Sequence, residues 1–137
     1  MFTKILDGYY RSELARKALQ IALDLAGRDA SPVLAVAVVR PPPSLQSWMA
    51  RCRTPSGRRL KDRSPRRFGA RNQARQREVH LTLLVRVGHP ADTLVRIAEE
   101  EGCGLIVLGR RGLQRGILGS VSERVLRYAH CPVMAMP

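Results

Sequence analysis

The sequence predicts one α/β domain in which helices cover both faces of a mainly parallel sheet. Two patterns support this fold class. Short apolar runs alternate along the chain with segments whose apolar residues recur at the 3.6-residue period of a helix. The run Val33–Val39 is apolar throughout, which is typical of a strand buried on both faces. With 137 residues, 45% of them hydrophobic, the chain has enough apolar material for a packed core.

The predicted elements alternate strand and helix from the first residues to the last. The strands are expected at Phe2–Leu6, Val33–Val39, Val79–Val87, Leu105–Leu108 and Pro132–Met136. The helices are expected at Ser12–Ala26, at 91–102 and at Val121–Ala129. Gly27 is expected to end the first helix, and Gly88-His89-Pro90 is expected to turn the chain before the second.

The positive charge of the chain is concentrated in one stretch, 40–78. The whole sequence has 24 Lys and Arg against 11 Asp and Glu, a net charge of +13. The stretch 40–78 alone holds 12 basic and 2 acidic residues, a net charge of +10. It begins with three prolines and continues through further Pro, Ser and Gly residues, which break helices and strands. We expect it to form a loop or a weak helix inserted in the domain.

Three interpretations of this basic stretch are open. Its arginines would make phosphate contacts with nucleic acid or another anionic partner, but Trp48 and Phe68 are its only aromatic residues, too few for base stacking. A solvated basic loop is the second interpretation. The third is that Arg, Pro, Ser and Gly are the residues that a GC-rich gene yields when it is read out of frame.

The cysteines and the N-terminus exclude several classes of protein. Cys52, Cys103 and Cys131 are an odd number without C-x-x-C spacing, which excludes a disulfide framework and a four-cysteine zinc site. No apolar run approaches the roughly 20 residues of a membrane-spanning helix, and the start of the chain lacks the pattern of a secretion signal. We therefore expect a cytoplasmic protein with reduced thiols and no membrane association.

A glycine-rich segment, 109–120, follows the fourth predicted strand and precedes a helix. In an open α/β sheet, ligands bind outside the carboxyl ends of the strands, and a helix N-terminus offers unpaired amides to a phosphate. Glycines let the backbone approach a ligand closely, and Arg110, Arg111 and Arg115 add positive charge. The alternative is a structural cap, because Ser120 and Glu123 have the spacing of a capping box. The two roles are compatible.

Several segments together resemble the universal stress protein family. The most specific are Leu105–Gly112, Leu118–Leu126 with its Gly-Ser-Val run, and His130–Val133 with its Cys-Pro-Val run. Val87–Ala91 with the helix that follows, and the first predicted helix, are similar to further family segments. The resemblance covers about two thirds of the chain.

The resemblance implies a five-stranded parallel sheet in the order 3-2-1-4-5 and, in many members, a homodimer and an ATP site. The residues expected to form that site are Asp7, Val38, Leu108, Gly109, Arg110, Arg111, Gly112, Gly119, Ser120 and Val121. This strand order puts the switch point between strands 1 and 4, so Asp7 and Gly109 would face one crevice. The implied ligand is ATP or another adenine nucleotide. The amides near Gly119, with Arg110 or Arg111, would hold its phosphates, and Asp7 would contact the ribose or a magnesium ion.

Three features depart from the family pattern. Six residues separate Gly112 from Gly119, fewer than in the family's ATP-binding pattern. Asp7 follows Leu6 directly, where the family has further apolar residues before its aspartate. The segment 58–77 has few apolar residues where the family has an amphipathic helix. These departures predict a shortened phosphate loop, modest nucleotide affinity and a thinly covered sheet face.

No motif in the sequence points to catalysis. His80, His89 and His130 lie on separate predicted elements without metal-ligand spacing. Cys103 and Cys131 adjoin predicted strands and are expected to be small core side chains.

We therefore expect a stress-response protein that binds an adenine nucleotide as a sensor or regulator, with at most slow ATP hydrolysis. The alternative is a member without a nucleotide site that acts through protein or nucleic-acid contacts of the 40–78 stretch. A homodimer is expected through the last strand, because an apolar strand at a sheet edge invites pairing.

Overall fold

The computed structural model describes residues 2–8, 13–40, 66–109 and 119–136. Its strands are β1 (Ile5–Gly8), β2 (Val33–Val39), β3 (Leu81–Val87), β4 (Leu105–Gly109) and β5 (Val133–Met136). Its helices are α1 (Glu13–Asp29), α2 (Arg66–Gln76), α3 (Pro90–Glu100) and α4 (Ser120–Tyr128). Strands and helices alternate along these ranges, as the apolar pattern predicts.

The five strands form one parallel sheet in the order β3-β2-β1-β4-β5. This order confirms the predicted doubly wound fold. The central strand β1 is paired along its whole length, with Val33–Val36 on one side and Leu105–Leu108 on the other. From β1 the chain moves outward through β2 to β3, and it then crosses to β4 and β5 on the opposite side.

Alanines bring α1 and α2 onto one face of the sheet. Ala18, Ala22 and Ala26 of α1 are fully buried, and Ala70 and Ala74 of α2 belong to the same apolar cluster. The sparse apolar residues of 58–77 therefore suffice to pack α2, since two alanines one turn apart give it a narrow buried stripe. Beside this stripe, Arg77 Nε donates to Asp24 Oδ1 at 2.6 Å and joins α2 to α1.

Helices α3 and α4 cover the other face with larger side chains. The buried residues that α3 contributes are Ala91, Leu94, Ile97 and Ala98, and α4 contributes Val125. They pack against the strand side chains that alternate with those of the α1 face, including Leu6, Leu34 and Leu108. Each strand of the centre is thus buried on both faces.

Three helices end with the same turn at the amino edge of the sheet. The amides of Ser31, Val79 and Cys103 each donate to the carbonyl five residues earlier in α1, α2 and α3 respectively. The residue before each donor is in the left-handed region: Ala30 (φ 51°), Glu78 (φ 55°) and Gly102 (φ 63°). This is the Schellman arrangement that closes a helix C-terminus.

Two predicted boundaries of the first βα unit are wrong. The first strand is Ile5–Gly8 rather than Phe2–Leu6, because the register with β2 and β4 begins at Ile5 and carries Asp7 into the sheet. Helix α1 continues through Gly27 to Asp29, and its left-handed closing residue is Ala30.

Two predicted segments lie largely outside the described residues. They are 40–78, of which the structure describes Arg40 and 66–78, and the glycine-rich segment, of which it describes Gly109, Gly119 and Ser120. The weak helix expected in the basic stretch coincides with α2. Within the described ranges, no helix combines the length and apolar character needed to cross a bilayer.

Candidate functional site

The carboxyl ends of β1 and β4 lie side by side in the middle of the sheet. The chain leaves β1 toward β2 on one side, whereas it leaves β4 toward β5 on the other. Gly8 pairs with Leu108, and Gly109 extends β4 by one residue beyond them. A crevice forms where the connections diverge in this way, and it is the usual ligand position in open parallel sheets.

Helix α4 begins at this carboxyl edge with a glycine cap. Gly119 is the N-cap residue (φ −59°, ψ 148°), and its carbonyl accepts from the Glu123 amide at 2.9 Å. Gly119 itself has no side chain that could cap the helix. The amides of Ser120, Val121 and Ser122 have no acceptor among the described residues. These amides and the positive end of the helix dipole are available to an anion.

The predicted capping box at Ser120 is wrong by one residue. Ser120 is the first residue of α4 rather than its cap, and it is exposed. Glu123 pairs instead with Arg127, with 3.3 Å between Oε1 and Nη2. Gly119 has no side chain that could occupy the amides of the first turn, so the described residues leave these amides to a ligand.

Asp7 is the third of the four residues of β1 and lies on the α1 face of the sheet. It is fully buried, and neither carboxyl oxygen has a hydrogen-bond partner among the residues described. Its register neighbours are Ala35 and Val107. Burial raises the pKa of the Asp7 carboxyl well above its ordinary value of 3.8. This environment favours the protonated, neutral carboxyl group.

Small residues separate Asp7 from the carboxyl edge. On the same face, the next positions toward that edge are Ala37 of β2 and Gly109 of β4. They lie two residues, or about 7 Å, further along the strands. The structure therefore brings Asp7 close to Gly109 but places it below the crevice, inside the sheet. The family resemblance implies an aspartate at the end of the first strand, whereas Asp7 is followed by Gly8 within β1.

Arg86 is half-buried and carries a second buried polar atom that has no partner in the described part of the chain. It pairs in register with Val38 near the carboxyl end of β3. Its Nη1 atom is buried and has no hydrogen-bond partner among the described residues. Arg86 and Val38 alternate in phase with Leu84 and Val36, so both lie on the α3 face. Sequence reasoning missed Arg86, although an arginine in a mainly apolar strand was a visible signal.

Of the remaining predicted site residues, the structure describes Leu108 and Val121. Leu108 is buried in the core on the α3 face. Val121 lies in the first turn of α4, half-buried against the same core. Outside the described residues lie Arg110, Arg111 and Gly112. The described chain thus brings Val38, Gly109 and the α4 terminus to one edge of the sheet.

A cavity of about 310 Å³ opens at the opposite, amino edge. It lies between the carboxyl-terminal ends of α1 and α2 and the segments that lead into β2 and β3. Two of its polar groups already have partners, since Arg77 donates to Asp24 and the Ser31 hydroxyl donates to the Phe2 carbonyl. The cavity is therefore separate from the predicted site and offers less free chemistry.

The histidines and cysteines of the described ranges differ in their exposure. His80, His89 and His130 are exposed. No group of three His, Cys, Asp or Glu residues in the described ranges is placed to hold a metal ion. Burial raises the pKa of the Cys103 thiol to about 11 and also raises the pKa of Cys131. Both thiols are thus held in the neutral form, as expected of small core side chains.

Comparison with known families assigns this chain to a family. The model described as "Universal stress protein family" matches residues 1–137. The chain belongs to the universal stress protein family. It is 32% identical over 144 residues to a universal stress protein of Methanothermobacter thermautotrophicus, an alignment that covers 97% of this chain and 94% of the relative. A shorter alignment with universal stress protein MJ0531 of Methanocaldococcus jannaschii is 44% identical over 62 residues and covers 43% of this chain and 35% of that relative.

Solved universal stress protein structures share the fold. One, a universal stress protein in complex with cAMP, superposes with a TM-score of 0.71 at 21% identity and covers 99% of this chain and 97% of that one. Another, from Archaeoglobus fulgidus in complex with dAMP, has a TM-score of 0.63 at 25% identity and covers 98% and 96%. These likenesses confirm the predicted fold.

Proposed function

We propose that this universal stress protein binds an adenine nucleotide at the carboxyl edge of its sheet and acts as a nucleotide-dependent sensor or regulator. The observation that carries the proposal is the open N-terminus of α4 beside the β1–β4 switch point. A phosphate there would accept hydrogen bonds from backbone amides and gain from the helix dipole. The ligand class is supported by the two family members solved with cAMP and with dAMP.

The phosphates would lie against the amides of Ser120 and Val121, with Arg110, Arg111 and Gly112 completing the cradle. The short spacing from Gly112 to Gly119 predicts a shallow cradle. ADP and AMP would therefore compete with ATP, because a terminal phosphate gains few additional contacts.

The base would lie at the β2 side of the crevice, toward Val38. Arg86 adjoins Val38 and has a buried donor that lacks an acceptor. The ring nitrogens of adenine are acceptors. A base seated there would satisfy Arg86 Nη1, so the orphaned donor fits the proposed ligand.

Asp7 would contact the ligand past the small residues Ala37 and Gly109, which lie between Asp7 and the carboxyl edge of the sheet. A protonated carboxyl donates a hydrogen bond, which suits a ribose hydroxyl, whereas magnesium requires ionised oxygen ligands. The burial of Asp7 therefore favours a ribose contact over a magnesium contact.

Calorimetry with ATP, ADP and AMP tests the site through the cap residue. In Gly119→Ser, the new hydroxyl would accept from the first-turn amides and compete with the phosphate. We expect affinity to fall about 10-fold or more, as for the loss of one hydrogen bond to a charged group. Ala129→Ser is the matched control, because Ala129 is the C-cap residue at the opposite end of α4. It adds the same hydroxyl group at the amino edge, away from the crevice, and should leave binding unchanged.

Arg86→Met tests the base contact, because it keeps an apolar stem and removes the guanidinium. We expect weaker binding of all three nucleotides and a melting temperature that is equal to or higher than that of wild type, because the substitution removes a buried donor that has no acceptor among the described residues. Equal binding by wild type and Gly119→Ser would contradict the phosphate position. No binding of any nucleotide at millimolar concentration would overturn the proposal and favour the alternative, a member that acts through contacts of the 40–78 stretch.

We also propose a homodimer through β5. This strand lies at the edge of the sheet, and all four of its residues are only half-buried in the single chain. Ile106 donates to the carbonyl of Pro132. In a parallel pair the amide of Met134 then faces β4, and those of Val133 and Ala135 face outward. A second β5 strand would satisfy these outward groups.

A further inference from the structure

The outer surface of α1 and α2 carries five exposed cations without an ion-pair partner among the described residues; α1 also contains the acidic residues Glu13, Asp24 and Asp29, of which Asp24 pairs with Arg77. Of the described side chains, those exposed on α1 include Arg16, Lys17 and Arg28, and those exposed on α2 include Arg71 and Arg75. No carboxylate in the described ranges lies within ion-pair distance of any of these five groups. We call these five residues the α1–α2 basic face.

The opposite side of the molecule is arranged differently. On α3 and α4 each arginine has a carboxylate partner: Arg96 pairs with Glu100, Arg124 with Asp92 and Arg127 with Glu123. The cations of α3 and α4 are thus neutralised locally, whereas those of the α1–α2 basic face are left to solvent or to a partner.

The two helices present this face as one surface. Both run from the carboxyl to the amino edge of a parallel sheet on the same side, so they lie parallel. Their ends are held together, because the Arg77 side chain donates a hydrogen bond to Asp24. The two backbones also lie close to each other there, since a Cβ atom added to Gly27 would lie 3.7 Å from the carbonyl oxygen of Arg77. Arg71 and Arg75 are one turn apart on α2, about 6 Å along its axis.

We propose that the α1–α2 basic face binds the sugar-phosphate backbone of a duplex nucleic acid. Guanidinium groups bind phosphate in a fork geometry, and four of the five cations are arginines. Gln20, Asn72 and Gln76 are exposed among them and donate hydrogen bonds of the kind that position a phosphate backbone.

The composition of the face selects a duplex over other anionic partners. Among the described side chains, the large exposed apolar residues are Val39, Leu126 and Tyr128, and none lies on α1 or α2. A membrane-binding helix would insert such residues into the lipid. A single-stranded nucleic acid would require exposed aromatic side chains for base stacking. A duplex offers its phosphates to a polar, arginine-rich surface without either feature.

This surface extends beyond the basic stretch 40–78, because three of its five cations belong to α1. Variants of the α1 cations therefore distinguish binding by this face from binding by the stretch 40–78 alone. It is also independent of the nucleotide site, which lies at the carboxyl edge of the sheet.

Fluorescence anisotropy with a labelled 24-base-pair DNA duplex, titrated with salt, tests the face. Log affinity falls with log salt, and each phosphate contact adds about 0.9 to the magnitude of this negative slope. We expect both Arg71→Gln/Arg75→Gln and Lys17→Gln/Arg28→Gln to reduce the magnitude of the slope by about 1.8. Arg96→Gln/Arg127→Gln removes the same charge from the other side and should leave the slope unchanged. Circular dichroism would verify that all three variants fold.

Five outcomes would overturn the proposal. The first four are no duplex binding by the full chain at low salt, equal effects of all three double variants, an effect confined to the α2 variant, and binding to vesicles of anionic phospholipid without binding to the duplex. An unchanged slope for both helix variants, with loss of binding in Arg58→Gln/Arg59→Gln, would assign the affinity to the stretch 40–78 alone and would be equally decisive against it. Because calorimetry reads nucleotide binding separately, failure here leaves the nucleotide proposal untouched.

Discussion

Replacing Asp7 should make the protein more stable and should remove a pH dependence. Asp7 is fully buried between Ala35 and Val107, and its carboxyl oxygens lack partners among the described residues. A buried polar group without a hydrogen bond costs about 1–3 kcal/mol. Asp7→Val places an apolar side chain there, so we expect its free energy of unfolding at neutral pH to rise by at least that amount.

The sign of the pH dependence follows from the raised pKa. In the unfolded chain the Asp7 carboxyl ionises near its ordinary pKa of 3.8, whereas burial raises its pKa in the folded chain. The folded state then binds more protons than the unfolded state, and stability falls as the pH rises above the ordinary value. The slope approaches about 1.4 kcal/mol per pH unit until the folded group ionises.

Urea unfolding of wild type, Asp7→Asn and Asp7→Val between pH 4.5 and about 8 would measure both effects. Asp7→Asn is the matched control, because it keeps the shape, cannot ionise and should be flatter with pH than wild type while gaining less stability than Asp7→Val. A wild type whose stability does not fall relative to Asp7→Asn over this range, or an Asp7→Val less stable than wild type at pH 7, would refute the account of Asp7 as an uncompensated carboxyl.

Three further changes test the fold and its assembly. Ala30→Gly should stabilise the protein by about 0.5–1 kcal/mol in thermal unfolding, because Ala30 has φ 51° and glycine adopts that conformation without strain; a lower melting temperature would count against the cap. Gly8→Ala should destabilise by about 1–3 kcal/mol, since a Cβ atom there would lie 2.5 Å from Leu108 Cδ2; unchanged stability would show that the core has room. Ala135→Pro removes an outward amide of β5 and should convert a dimer to monomer in light scattering, whereas a monomeric wild type or an unaffected dimer would contradict pairing through this strand.

The sequence predicted a mainly parallel sheet because buried apolar runs alternate with helical segments, and the family resemblance implied its strand order. Val33–Val39 and Leu105–Leu108 are apolar on both sides of the strand, which requires helices on both faces. The limits of β1 were harder to predict. Ile5–Gly8 is short and polar at its third residue, so local pattern alone excluded Asp7, whereas pairing with two neighbouring strands includes it. Tertiary register overrode local preference.

The candidate site was predicted by type more than by position. The glycine-rich turn before α4 predicted a helix that begins at the carboxyl edge, and the helix is there, yet its cap proved to be Gly119 rather than Ser120. A one-residue difference of this kind depends on backbone angles that composition does not encode. Arg86 was missed because its role depends on a neighbouring strand, since only the β2–β3 register places it beside Val38.

The closing turns at the amino edge separate the parts of this chain that can change length from those that cannot. Four connections there, 30–32, 77–80, 101–104 and 129–132, have three or four residues each. The connections at the carboxyl edge are 9–12, 40–65, 88–89 and 110–119, and they range from two residues to 26. Insertions and deletions on that side leave each helix joined to its next strand by a fixed, short link. The chain can therefore remodel what its carboxyl edge holds without changing the order in which its strands assemble.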